Sequence, residues 1–135
     1  WVAARVGSTR TNGAYAWQAL LRTGAKVASG SDAPVESINP FLGLYAAVTR
    51  MDLTGKPEGG WNTKNKMDFD EALRSFTLDA AYASFEDDIK GTLQVGKLAD
   101  FVVLNEPADT LPVSKIGAVH PVATVVGVKT LAGQL

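Results

Sequence analysis

The sequence contains no cysteine and one histidine in 135 residues. The first absence excludes disulfides, thiolate metal sites and a cysteine nucleophile, and it fits a reducing compartment. The second is nearly as restrictive, because serine–histidine–aspartate triads need a histidine and hydrolytic zinc sites generally use several. Any metal would have to be held by Asp, Glu or His120. Long apolar runs are missing too. The longest, Phe41 to Val48 counting Gly43, is eight residues, against the roughly 20 that a membrane-spanning helix needs. Positive charge is not in surplus: 13 Lys and Arg stand against 14 Asp and Glu, a formal charge of −1. Such a chain has little with which to neutralise a phosphate backbone or an anionic bilayer, so neither nucleic acid nor membrane is an expected partner. The glycine-rich nucleotide loops, H-E-x-x-H and EF-hand patterns are also absent.

What remains describes a folded domain. Hydrophobic residues make up 46% and charged residues 20%, enough to bury a core, and the length suits one domain of ordinary size. The chain opens on Trp1, not Met, and its first residues carry no secretory pattern. The expectation is that the authentic start lies upstream and that the protein is cytoplasmic.

Punctuation and periodicity place the elements. Asn12-Gly13 as cap, the recurrence of Trp17, Leu20 and Leu21, and Gly24 as terminator predict a helix over about 13–23. Ala25-Lys26-Val27-Ala28-Ser29-Gly30-Ser31 then reads as a short buried strand, with Asp32 just past its end. Asn39-Pro40 supplies a cap and an N1 proline for a helix to about Arg50, burying Phe41, Leu44, Tyr45 and Val48. Between Asp52 and Asp68 the glycines and Pro57 predict a loop. Asp68 with Glu71 resembles a capping box for a helix presenting Leu73 and Phe76 on one face, and Thr77 is a candidate cap for a second helix, Leu78 to Phe85. β chemistry follows: Gly91-Thr92-Leu93, a Gly96-Lys97 turn, Phe101 to Leu104, and a last hairpin of Ala123 to Val126 and Val128 to Leu131 around Gly127.

Asp32 is the carboxylate with the most suggestive placement. Strand C-termini open onto the active face of α/β barrels, and a carboxylate there can ligate a divalent cation and accept a proton from water. On residue type and spacing alone, the commoner reading is a turn cap before Pro34. His120 reads as an ordinary loop histidine. Trp61 either shields a pocket or tucks back onto the core, and the adjacent carboxylates Glu86, Asp87 and Asp88 read as a solvated helix end.

Two separated motifs add a resemblance. Val27-Ala28-Ser29-Gly30-Ser31-Asp32-Ala33-Pro34-Val35 is similar to the last barrel strand of the amidohydrolase superfamily, the metal-dependent hydrolases built on a TIM barrel. The segment from Lys90-Gly91-Thr92-Leu93 through Gly96-Lys97-Leu98-Ala99-Asp100 to Phe101-Val102-Val103-Leu104 resembles the place where such enzymes leave the barrel and complete a small β-sandwich. Leu44 to Arg50, Tyr82 to Phe85 and the Gly59-Gly60-Trp61 loop look most like the branch that includes formamide deformylases, and the likeness runs from Tyr15 to about Leu131. It implies an α/β fold comprising the C-terminal portion of a (β/α)8 barrel, its last strand and helices, over 1–88, with strands of the β-sandwich over 89–135. It implies further that Asp32 is both the catalytic base and a metal ligand, with a divalent metal, zinc above all, and a small-molecule substrate in a longer parent enzyme that hydrolyses an amide or related C–N bond.

The family's other ligands, a His-x-His pair, a carboxylated lysine or glutamate, and two further histidines, have no counterpart here, and His120 matches none of them. A lone aspartate cannot hold a divalent cation against water, since catalytic zinc sites take about three protein ligands. The expectations for this chain alone are therefore no bound metal, no hydrolysis, and self-association through the exposed barrel strand and bare helix faces. The alternative is a non-catalytic α+β interaction module that binds a partner chain.

Overall fold

The computed structural model describes residues 2–134, in the order α1 (Val2–Thr11), α2 (Trp17–Leu21), α3 (Pro40–Thr49), α4 (Phe69–Phe76), α5 (Leu78–Ala83), β1 (Phe101–Leu104), β2 (Pro121–Val126) and β3 (Lys129–Gly133). It is a small α/β arrangement with one three-stranded antiparallel sheet in the order β1-β2-β3. Short 3-10 turns lie at Thr63–Asn65 and Val113–Ala118.

The best-defined helices start where the sequence supplies caps. Asn39 is extended and its side chain accepts the Phe41 N–H at 3.0 Å, with Pro40 following where no intrahelical N–H is required. Arg50 closes α3 in the left-handed region at φ 60, its N–H bonded to the Ala46 carbonyl. At α4 the capping box is complete: Asp68 accepts from the Glu71 N–H at 2.8 Å, and Glu71 accepts from the Asp68 N–H at 2.9 Å.

The core forms where α3 meets the Val113–Ala118 turn. Phe41, Leu44, Tyr45 and Val48 pack with Met67, Ala72, Ile116 and Val119 in one buried cluster. Burying a side chain the size of Ile116 contributes about 1.5–3 kcal/mol. Gly43 sets the approach of α3 to α4, because a Cβ there would lie 2.6 Å from the Phe76 ring.

At the C-terminal end, β1 pairs antiparallel with β2, Phe101 opposite Val125, and β2 with β3, Val126 opposite Lys129. Gly127 and Val128, at φ 54 and 62, make the two-residue turn between them. Two positive-φ residues in sequence are the signature of a type I′ turn, whose twist matches that of the strands.

Several expectations differ from this arrangement. The helix predicted over 13–23 is present only as Trp17–Leu21, because the chain before it is still turning after α1, with Tyr15 at φ 50. Gly24 does end it, at φ 82, with its N–H on the Leu21 carbonyl. Residues 25–31 form no strand. Their one backbone bond to another element runs from the Ser29 N–H to the Ser75 carbonyl, at 2.9 Å. A strand exists by its neighbours, and a parallel barrel strand needs them on both edges; among the described residues it has none. Residues 91–93 are likewise unpaired. α5 ends at Ala83, two residues short of Phe85, and Thr77 does not cap it: its hydroxyl donates to the Leu73 carbonyl. Leu73, expected on the packed face of α4, is 41% exposed.

Candidate functional site

Asp32 sits in a segment fixed at both ends, by the Ser29–Ser75 backbone bond on one side and the Asn39 cap of α3 on the other. Between these anchors the chain turns sharply. Asp32 adopts φ 57, and its carbonyl accepts the N–H of Val35 at 2.8 Å and of Glu36 at 3.4 Å. Aspartate is among the few non-glycine residues that enter the left-handed region readily, and non-glycine residues held there cluster at functional sites. The residue is exposed, and its carboxylate makes no hydrogen bond or ion pair among the described residues. A carboxylate in this state can accept a proton or join a cation site, since nothing inside the chain consumes its lone pairs.

Among the described residues no three of His, Asp and Glu converge as a metal site would require. His120 lies just before β2, exposed, its N–H donated to Asn105 Oδ1 at 2.9 Å and its Nδ1 3.2 Å from the Ala118 carbonyl, which is the placement of a structural loop residue. Glu86 is engaged by Lys90 at 2.5 Å and by the Ser84 hydroxyl at 2.9 Å, and these hydrogen bonds, that from Lys90 first, hold its carboxyl below the ordinary range. Asp52 is similarly spoken for: it accepts from the Thr54 hydroxyl, the Thr54 N–H and the Lys56 N–H, and its carboxyl is lowered, chiefly by the Thr54 hydroxyl.

The glycine-rich loop holds a cluster that periodicity did not reveal. Trp61 packs back: the Arg50 guanidinium lies over its ring at 4.9 Å, the Tyr15 ring meets it edge-on at 6.1 Å, and Arg50 Nε donates to the Trp61 carbonyl. Burial lowers the Arg50 pKa. Arg50 and Trp61 are eleven positions apart across a loop, so no helical or strand period links them; a lone tryptophan among glycines was the only signal. Asp79 was missed as well. It is buried in an alanine-rich helix, with Arg74 at 3.5 Å.

Two open grooves flank the sheet, of about 810 Å³ and 640 Å³, and Asp32 lines neither. Among the described residues no helix is long and apolar enough to cross a membrane.

Comparison with known proteins places this geometry in context. The chain matches the model of the amidohydrolase family over residues 1–132. It is 33% identical over 105 residues to the putative amidohydrolase YtcJ of Bacillus subtilis, covering 78% of this chain and 20% of that protein. It is 41% identical over 105 residues to the protein LONG AFTER FAR-RED 3 of Arabidopsis thaliana, covering 77% and 18%. With the N-substituted formamide deformylase of Arthrobacter pascens it shares 31% identity over 93 residues, 68% and 17%. The chain thus spans about one-fifth of the length of these relatives. No solved structure gives a significant match.

Proposed function

Because the chain belongs to the amidohydrolase family, we propose that it supplies the closing portion of a hydrolase that cleaves an amide or related C–N bond. In this reading residues 1–88 are the last part of a TIM barrel and 89–135 contribute strands to the β-sandwich beside it. The observation that carries the proposal is the family match across residues 1–132. The relative whose name specifies a deformylase of N-substituted formamides supports a C–N bond as the one attacked.

Asp32 takes the central role. Its carboxylate accepts a proton from the attacking water, the resulting hydroxide adds to the carbonyl carbon, and the C–N bond breaks as that proton passes to the leaving nitrogen. Its exposure and its free lone pairs support this role. A divalent metal such as zinc is what the family ordinarily uses, but the donor set of this chain does not fit one. A single carboxylate falls short of about three protein ligands, so the remaining ligands would come from elsewhere in a longer protein. The small molecule acted on would be selected there too.

Two experiments test the reading. Calorimetric titration of the 135-residue chain with zinc is expected to show no tight 1:1 binding, and such binding would overturn the assignment of the other ligands to another segment. In a protein carrying this segment in full, Asp32→Asn is expected to lower kcat by about 10²–10⁴ with the melting midpoint preserved; an unchanged kcat would remove Asp32 from the chemistry. The interaction-module alternative is favoured by one observation: among the described residues no strand pairs with the outer side of β1. Reading the codons upstream of Trp1 separates the two, since an in-frame His-x-His belongs to the first and a nearby start codon to the second.

A further inference from the structure

Among the described residues, Arg50 Nη2, Asn62 Nδ2 and Asn65 Nδ2 are buried without a hydrogen-bond partner, as is the more distant Thr92 Oγ1. The first three belong to one neighbourhood. Arg50 Nε donates to the Trp61 carbonyl at 3.1 Å, Asn62 follows Trp61 directly, and the Asn65 N–H closes a 3-10 turn onto the Asn62 carbonyl at 3.0 Å. All three are N–H donors. A donor shut away from water without an acceptor bears its full desolvation penalty, so three around one turn call for an acceptor in common. Asn65 is 4% exposed, which leaves its amide no route to solvent.

The charge balance points the same way. Arg50 donates to two neutral carbonyls, those of Tyr15 and Trp61, and lies over the Trp61 ring. The ion pairs among the described residues are Arg74–Asp79 and Lys90–Glu86, so no carboxylate answers the Arg50 charge. The stretch from 50 to 66 sets Arg50, Lys56, Lys64 and Lys66 against Asp52 and Glu58, and Asp52 is already engaged by Thr54 and Lys56. A partly buried cation without a counter-ion is unfavourable.

We propose that Arg50, Asn62 and Asn65 bind chloride, as a structural anion of the glycine-rich loop. One positive charge with two neutral amide donors matches a compact monovalent anion. A carboxylate or phosphate takes two parallel N–H bonds from a guanidinium; Arg50 has Nε and Nη1 committed to carbonyls, so that fork is closed. A halide accepts N–H groups from any direction and needs no fork. The donors are enclosed by this chain's own atoms, so the ion is taken up as the loop forms, with small rotations of the two amide side chains, and further chain in a longer protein deepens the enclosure. The inference is independent of the role of Asp32, since Arg50 closes α3 at the end away from the Asp32 segment.

The test replaces gluconate by chloride at constant ionic strength. In NMR of the isotopically labelled chain, the side-chain N–H signals of Arg50, Asn62 and Asn65 are expected to shift saturably with chloride. In urea, the unfolding equilibrium constant should fall in proportion to 1 + [Cl⁻]/Kd, about tenfold when chloride reaches about nine times its Kd. Asn62→Asp supplies the internal control. Aspartate shares the size of asparagine and its tolerance of the left-handed region that Asn62 occupies at φ 50, and it sets a carboxylate where the anion would lie. The variant should lose the chloride response and, in gluconate, unfold at a urea concentration no lower than the unsubstituted chain. Absence of saturable shifts at the three side chains would overturn the proposal and leave the donors to ordered water. An equal chloride response in the variant would overturn it as well, as a general salt effect.

Discussion

Gly59 and Gly60 offer a controlled measurement of what backbone approach is worth at this loop. Both hold positive φ, 75 and 94. A Cβ at Gly59 would meet nothing within 4 Å, whereas one at Gly60 would lie 2.3 Å from the Thr49 carbonyl oxygen and 3.1 Å from Thr63 Cγ2. The Thr49 carbonyl has little room to retreat, because Thr49 is buried and its hydroxyl is bonded to the Tyr45 carbonyl at 2.7 Å and to the Met51 N–H at 3.1 Å. Gly59→Ala should therefore cost only the left-handed strain, about 1–2 kcal/mol. Gly60→Ala should add an overpacking penalty of about 1–3 kcal/mol, for a total of about 2–5 kcal/mol. Against the 5–15 kcal/mol typical of a folded protein, the second variant sits near the edge of folding. Equilibrium urea unfolding followed by tryptophan fluorescence reads both, since Trp61 follows directly and loses its Arg50 contact on unfolding. Losses equal to within about 0.5 kcal/mol would refute the argument that the backbone contact at Thr49, and not φ alone, makes glycine necessary at position 60.

Val128 is a β-branched residue at φ 62 in the hairpin turn, 81% exposed; Val128→Asn should stabilise by about 1 kcal/mol, because asparagine tolerates that region and no packing is lost, and a loss of stability in the same urea assay would contradict the turn assignment. Asp52 and Glu86 both have folded pKa values below their unfolded ones. Their contribution is thus fully present above the unfolded values, near 3.9–4.3, and disappears as pH falls through the folded ones. Asp52→Asn with Glu86→Gln should flatten the acid limb of a stability–pH curve below about pH 4, and an unchanged slope would show that these hydrogen bonds do not persist in solution.

The features that could be read from the chain are those decided within a few residues. Asn39-Pro40 set the start of α3, the Asp68–Glu71 pair set the start of α4, and the β-branched runs with Gly127 between them became β1 and the β2–β3 hairpin. Each is a hydrogen bond or a dihedral preference between near neighbours. The buried face of α3 was legible for the same reason, because a 3.6-residue period is a local property. The candidate site was only half legible. Asp32 could be named from its place after a small-residue run, but the run itself pairs with nothing among the described residues, so the strand expected there did not form.

The sequence by itself determined composition, caps and turns, because these depend on residue chemistry and short-range geometry. Tertiary structure decided that Arg50 stacks on Trp61 and that Leu73 is stranded between two grooves. These outcomes depend on which distant segments come together, and no periodicity along the chain encodes them.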